Sequence, residues 1–442
     1  MTYGAPPVLR PLQVEAIEGL RQAIGNGARR VLLVAPTGFG KTVVIVAIAL
    51  RHLQAKPEHR VLVLVHRREL VRQMVDSLAA AGLTAVGVLQ ADTDPGDVTA
   101  RIVVASVQTV AARNETPAAT LVFWDEAHHC PALTFRAIAS RYPSAIHLGA
   151  TATPIRSDDA PLGENFDALV IGATVRQLTA QGLLVRSQLF APPEPCAGLW
   201  QSPLSAYERH APGTAAIVFA SSVAHAQQES VAFNAAGHRA ACIEGEMSAR
   251  ARDAALAQFA AGAIDVITNV FCLTEGWDAP RAETCIIARG CSNPGTWLQM
   301  VGRVLRNHPG KRVATVIDLR GSVHDVGLPE EDRKWSLAGT ACVRTEPLAA
   351  LSRCKECLAV FRPSSRCPRC GASPQVMQRL PRNLNRAEVL ERVSDRTQAQ
   401  RDAGYLLSLQ RVALRRMRMP EWRAKEWAAV QFEKRFGRKA AA

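Results

Sequence analysis

Apolar runs of strand length alternate with amphipathic stretches through most of this chain, and the alternation occurs twice. In the first series a basic entry and an apolar run at 29–35 read as a strand, 36–42 as a loop and 43–53 as a helix. A second strand is expected at 61–65, a helix at 69–80, and short strands at 102–105 and 121–124. In the second series strands fall at 215–220, 240–243, 266–269, 284–288 and 313–318, with a helix at 225–235. Strands alternating with amphipathic helices predict parallel sheets covered on both faces, hence an α/β fold in two tandem parts. The intervening stretch 191–211 is rich in Pro and Gly and reads as a linker. The expected domains are therefore 1–190 and 212–345, followed by a cysteine-bearing module at 346–375 and a basic helical segment at 376–442.

Two motifs carry phosphate chemistry. Ala35-Pro-Thr-Gly-Phe-Gly-Lys-Thr42 lies between a predicted strand and a predicted helix, and fits a phosphate loop with Ala35 in the place usually held by Gly. Thr37, Gly38 and Gly40 let backbone N–H groups curl around an anion at a helix N-terminus. Lys41 is then placed to reach the β- and γ-phosphates of ATP, and the Thr42 hydroxyl to bind Mg²⁺. Asp125-Glu-Ala-His128 follows an apolar strand. There Asp125 is assigned to the metal, Glu126 to the attacking water, and His128 to coupling with a neighbouring element.

With these motifs the chain resembles the superfamily 2 helicases and translocases of the DEAH-box type, and within them the bacterial and phage DNA-repair helicases called RadD-like. The resemblance covers roughly residues 8–340. It implies two RecA-like motor domains with one ATP cleft between them. Arg10-Pro-Leu-Gln13 matches the element whose Gln contacts adenine. The segment 65–70 with Arg67 and Arg68, and Ser106-Val-Gln-Thr109 with Gln108, match strand-gripping elements. Thr151-Ala-Thr-Pro154 matches the coupling motif. Residues 217–222, which include Ser221, and the segment from Thr268 to Asp278 resemble second-domain motifs. By that resemblance Ser221 and Thr268 face the nucleic acid, while Gly276 and Asp278 lie near the ribose. Residues 299–306 match the arginine-finger motif through Gln299, Gly302, Arg303 and Arg306. Arg303 and Arg306 are expected to share one face of a helix at i and i+3. Arginines supplied by a separate domain make hydrolysis depend on domain closure.

Of 11 cysteines, Cys354, Cys357, Cys367 and Cys370 form two Cys-x₂-Cys pairs, a spacing that can close tetrahedrally on Zn²⁺ as a structural ribbon. The formal net charge of +14 attracts phosphate backbones. The sequence has no run of eighteen apolar residues, so no membrane span is expected and a cytoplasmic, nucleoid-associated location is the default. The composite expectation is a monomeric ATP-dependent motor on single-stranded, duplex or branched DNA in repair, recombination or phage replication. A repair or replication protein is a further expected partner through the C-terminal region. An RNA helicase, a restriction-complex motor and a non-enzymatic DNA-binding scaffold are the competing readings. The short segment between the motor domains favours translocation or remodelling over strand separation.

Overall fold

The computed structural model describes residues 7–90, 98–113, 116–156, 161–274, 277, 279–338, 343–344, 351–380, 425 and 427–431. The chain divides into two compact units, Met1–Arg382 and Asn383–Ala442. The second is described only at residue 425 and in a helix at 427–431, so most of the expected basic segment lies outside the described residues. Gly276, Asp278 and the side chain of Arg68 lie outside them too. Among the described residues no helix is long and apolar enough to cross a membrane.

The first lobe is a seven-stranded parallel sheet built from β1 (Arg30–Val34), β2 (Val61–Val65), β3 (Val86–Leu89), β4 (Ile102–Ser106), β5 (Leu121–Asp125), β6 (Ile146–Thr151) and β7 (Ala168–Ile171). Its order is β3-β4-β2-β5-β6-β1-β7. Every residue of β2 and β4 is buried, as a sheet with helices on both faces requires. The central neighbours β5, β6 and β1 end side by side in Asp125, Thr151 and the phosphate loop. Ligands of open α/β sheets bind outside these carboxyl ends.

The second lobe contains β8 (Arg186–Phe190), β9 (Ala216–Ala220), β10 (Ala240–Ile243), β11 (Val266–Asn269), β12 (Thr284–Ala288) and β13 (Val313–Asp318), parallel in the order β10-β11-β9-β12-β13-β8. The domain boundary expected at 190 is corrected here. β8 pairs with β13, so the second lobe begins before that strand. The expected linker 191–211 also contains a helix, Pro203–His210, which buries Ala206 and Tyr207. Its Pro203 is at the first helical position and Ser202 caps it, so this proline starts a helix where it read as a breaker.

Beyond β13 the chain crosses back to the first lobe. Leu337 O accepts from Gly163 N at 2.8 Å, and Trp335 and Leu337 pack on the core of Leu162 and Phe166. Asp332 lies 3.5 Å from Arg176. After a two-stranded pairing of β14 (Arg333–Lys334) with β15 (Val343–Arg344), the chain returns to the second lobe. There β16 (Leu351–Cys354), β17 (Ala359–Phe361) and β18 (Met377–Leu380) extend the sheet antiparallel, with β17 against β8. The cysteine module is therefore the continuation of the second sheet and not a free-standing appendage.

His210 sits at that junction, its ring stacked on Phe190 at 4.0 Å. Neither ring nitrogen has a hydrogen-bond partner among the described residues. Burial, aided by Arg209, Arg369 and Arg353, lowers its pKa to about 4. The folded state thus binds fewer protons than the unfolded chain between that value and the ordinary one near 6.5. Stability is complete above that ordinary value and falls as pH drops toward 4. Denaturant unfolding at pH 7 and pH 5 should show this loss, and His210→Phe should flatten it; an unchanged slope refutes the assignment.

Candidate active site

The phosphate loop grows out of β1. Ala35 N donates to Thr151 O at 2.9 Å, which extends the ladder by one residue. Ala35 is fully buried, so its methyl group is packed core and needs no glycine freedom. The two later glycines do need it: φ is +89° at Gly38 and +88° at Gly40. A Cβ on Gly40 would stand 2.6 Å from Gln13 Nε2. The helix Lys41–Ala55 carries no acidic residue in its first turn, which leaves its N-terminal N–H groups to an anion. Lys41 Nζ donates to Ala35 O at 3.2 Å and lies 3.9 Å from Glu126 Oε1.

Gln13 braces this loop. Its Oε1 accepts from Arg10 N at 2.9 Å, its Nε2 donates to Phe39 O at 2.8 Å, and the residue is 1% exposed. The adenine-contacting carboxamide expected there is turned onto the loop itself. Arg10 is exposed and also reaches Gly38 O, at 3.4 Å.

Across the cleft floor, Asp125 closes β5, and its Oδ1 accepts from Glu126 N at 3.1 Å. Glu126 is left-handed, with φ 46°, a strained conformation for a side-chain-bearing residue. His128 Nδ1 lies 2.8 Å from Thr151 Oγ1, and His128 Nε2 lies 3.0 Å from Gln299 Nε2 of the second lobe. Gln299 Nε2 also approaches Thr153 Oγ1 at 3.5 Å. His128 Nδ1 also lies 3.6 Å from Glu126 Oε2, so the imidazole stands between the acidic strand end and the second lobe.

Arg303 and Arg306 enter the same cleft from the second lobe. With Trp277 they face Thr37, Gly38, Gly40, Lys41, Thr42, Asp125 and Glu126 around about 330 Å³ of space. The expected common helix face is corrected. The helix Pro294–Leu305 stops before Arg306, which is extended (φ −61°, ψ 138°) and bridges to Leu184. Arg303 stays in the last turn, where its guanidinium donates to the carbonyls of Thr274, at 3.0 Å, and Trp277. Desolvation lowers the pKa of Arg306.

The expected strand-contacting residues divide. Arg67 reaches across the lobes to Cys272 O at 3.4 Å. Gln108 is exposed and donates to His66 O at 3.2 Å, and exposed Ser221 meets His225 Nδ1 at 2.9 Å. Ser106 and Thr109 are buried, with the Ser106 hydroxyl capping a helix through Thr109 N. Thr268 is corrected outright: it is wholly buried, and its hydroxyl donates to Ala226 O at 2.7 Å, so it presents nothing to a strand. Thr151 and Thr153, quoted in a motif but given no site role, prove to hold His128 and Gln299. Their β6-end position beside Asp125 was the available signal.

Cys354, Cys357, Cys367 and Cys370 place their sulfurs within 4.8 Å of one another, with closest pairs at 3.6 and 3.7 Å. Four thiolates about 2.3 Å from one tetrahedral ion stand at similar spacing. The residue after each second cysteine, Leu358 (φ 63°) and Gly371 (φ 72°), is left-handed, so the two knuckles repeat one turn. Among free thiols, burial pushes Cys357 up to about 12. A divalent cation reverses that by stabilising thiolate. The donor set fits a structural metal ion and leaves no open coordination position.

A nucleotide-sized cleft between two RecA-like α/β lobes, with arginines facing a phosphate loop, defines a superfamily 2 helicase-type ATPase. Residues 7–156 match the family model of the type III restriction enzyme res subunit, and residues 201–308 that of the helicase conserved C-terminal domain. The chain is related to restriction-enzyme and DNA-repair helicase subunits. It is 27% identical over 365 residues to a 51.5 kDa protein of Lactococcus phage (isolate 7-9), covering 77% of each chain. It is 26% identical over 367 residues to a Saccharomyces cerevisiae protein named as an ATP-dependent helicase, IRC3, covering 72% of this chain and 52% of that one. The chain thus spans about half the length of the yeast relative. A solved fragment described as the HsdR subunit of a type I restriction enzyme from Vibrio vulnificus YJ016 shares the fold, with a TM-score of 0.57 at 21% identity, covering 76% of this chain and 70% of that one.

Gly40→Ala should abolish tight nucleotide binding, because the left-handed backbone and the Gln13 contact both oppose a Cβ. It should also destabilise the fold by more than about 1 kcal/mol. Titration with a fluorescent ATP analogue and thermal unfolding check this; wild-type affinity in the variant would remove the loop from the site.

Proposed function

We propose that this chain is an ATP-driven motor on DNA, of the RadD-like kind, which translocates on or remodels DNA during repair, recombination or phage replication. The observation that carries the reading is the polar bridge from Gln299 through His128 to Thr151, beside the phosphate loop. It joins hydrolysis in one lobe to the position of the other. The res-subunit match over residues 7–156 supports DNA over RNA, and the +14 charge supports a polyanionic partner. That same match favours a second reading, the motor subunit of a restriction complex.

In this reading Lys41 holds the β- and γ-phosphates, and Thr42 and Asp125 hold Mg²⁺, which neutralises charge on the transferred phosphoryl group. Glu126 orients the water that attacks the γ-phosphorus, the phosphoanhydride bond to ADP breaks, and phosphate leaves with the water oxygen. Arg303 and Arg306 neutralise the transition state from the second lobe, so Arg303 must exchange its carbonyl partners for phosphate as the lobes close. The nucleotide base is received near Arg10 and Gln13, the ribose near Gly276 and Asp278, and the strand near Arg67, Arg68, Gln108 and Ser221. Zn²⁺ is the metal proposed for the four cysteines. A monomer acting on nucleoid DNA in the cytoplasm, with a repair or replication protein at its C-terminal region, completes the proposal.

Steady-state ATP hydrolysis should be strongly stimulated by single-stranded, duplex or forked DNA and absent in Lys41→Ala. Gln299→Ala should keep nucleotide binding but lose about tenfold or more of the stimulated rate, since an orienting contact of this kind acts in the transition state. Stimulation by RNA alone would overturn the DNA assignment, and no hydrolysis with any polymer would overturn the motor. Cys354→Ser should lower bound zinc per chain and the unfolding temperature together; full zinc content in the variant would exclude the assigned ligands.

A further inference from the structure

Phe271 is a half-exposed aromatic at the rim of the second sheet. It follows β11 by two residues, at the carboxyl end of the second sheet, and is 46% exposed. Arg289, just beyond the end of β12, lays its guanidinium 3.6 Å from the Phe271 ring centroid. The same guanidinium donates to Val270 O at 3.4 Å, while its Nε is buried with no hydrogen-bond partner among the described residues. Next along the loop, Cys272 O accepts from Arg67 of the first lobe. Phe271 therefore stands where the lobes meet at the carboxyl ends of the second lobe's strands. It is not among the residues around the phosphate cleft.

An apolar ring left half in water contributes little to folding, whereas an aromatic face beside a cation is the composition that receives nucleobases. We propose that Phe271, carried by Arg289, is a base-stacking platform for a single nucleic-acid strand, with Arg289 and Arg67 facing the adjoining phosphates. The proposal rests on the nucleic-acid-motor reading above. Only an unpaired base offers its π-face, so the platform selects single-stranded over duplex polymer. Because the ring belongs to the second lobe, each closure carries the stacked base with that lobe. The recognition is indifferent to sequence, since every base has a π-face.

The test compares the affinity of the whole chain for an oligothymidylate and for an abasic strand of equal length and charge, by fluorescence anisotropy at fixed salt. Wild type should bind the oligothymidylate more tightly than the abasic strand. Phe271→Ala should weaken oligothymidylate binding roughly 5- to 100-fold and leave the abasic affinity unchanged. Phe271→Trp should restore the difference, which a general folding defect in the alanine variant would not permit. A 2-aminopurine placed within the strand should be quenched by wild type and less so by Phe271→Ala. If wild type binds neither strand, the nucleic-acid reading falls. If wild type binds both and Phe271→Ala changes neither, or weakens both equally, the platform is refuted while the motor reading stands. Weaker binding of an ATP analogue with unchanged strand affinity would assign the ring to the nucleotide and also refute it.

Discussion

Gln299 and His128 belong to different lobes, lie 3.0 Å apart, and are 6% and 7% exposed. A buried amide or imidazole left without a partner loses its hydration and receives nothing in exchange, at about 1–3 kcal/mol for each group. The bridge is therefore satisfied only over a narrow range of lobe orientations. His128 passes the constraint onward, because its Nδ1 meets Thr151 Oγ1, whose own hydroxyl donates to Thr153 O. The bridge thus connects the second lobe to the strand ends that carry Asp125 and Thr151.

One further connection joins the lobes from another side. The chain between β13 and β16 touches the first lobe through Trp335 and Leu337 before it returns to the second. At its far end the cysteine module completes the second sheet beside β8, and β8 is the strand by which the chain first enters that lobe. The crossing segment thus leaves from β13 and returns to β16, both on the β8 side of one sheet. A metal ion held by the four cysteines would stabilise that edge, and with it the anchorage of the crossing segment. The stacking of Arg369 and His210 on Phe190 makes the junction continuous, at 4.7 and 4.0 Å.

Much of this was legible in the sequence, because period and motif are local. The buried strands β1, β2, β9 and β12 are short β-branched or leucine-rich runs, and the phosphate loop and acidic strand end are read from neighbouring residues. The short or less apolar strands β3, β7 and β8 were not legible. The burial pattern of β7 is largely intermediate, and β8 enters as Arg186-Ser-Gln, polar residues that only the pairing with β13 organises. Thr268 illustrates the opposite error. The motif placed it correctly at a strand end, but the direction of its hydroxyl, toward Ala226 O, depends on how the helix Val223–Ala235 packs over the strand. Phe271 had no local signal either, since exposure is a tertiary property.

The same distinction bears on the arginines. Their residue types and spacing pointed to a shared helical face, yet the helix ends at Leu305 and Arg306 continues as extended chain beside Leu184. Convergence survives because Arg303 and Arg306 reach the cleft by different routes, one from a helix turn and one from a strand-like bridge. The cap matters physically. A helical Arg306 would move with the helix Pro294–Leu305 alone, whereas the bridged residue is also tied to Leu184, and a Cβ on Gly38 would meet Leu184 Cδ2 at 2.7 Å. Arg306 is thus bridged to a residue packed close to Gly38, while Arg303 is held by the carbonyls of Thr274 and Trp277 in its own lobe. In the proposed cycle Arg303 is therefore the arginine that must exchange partners, because the carbonyls that hold it belong to its own lobe.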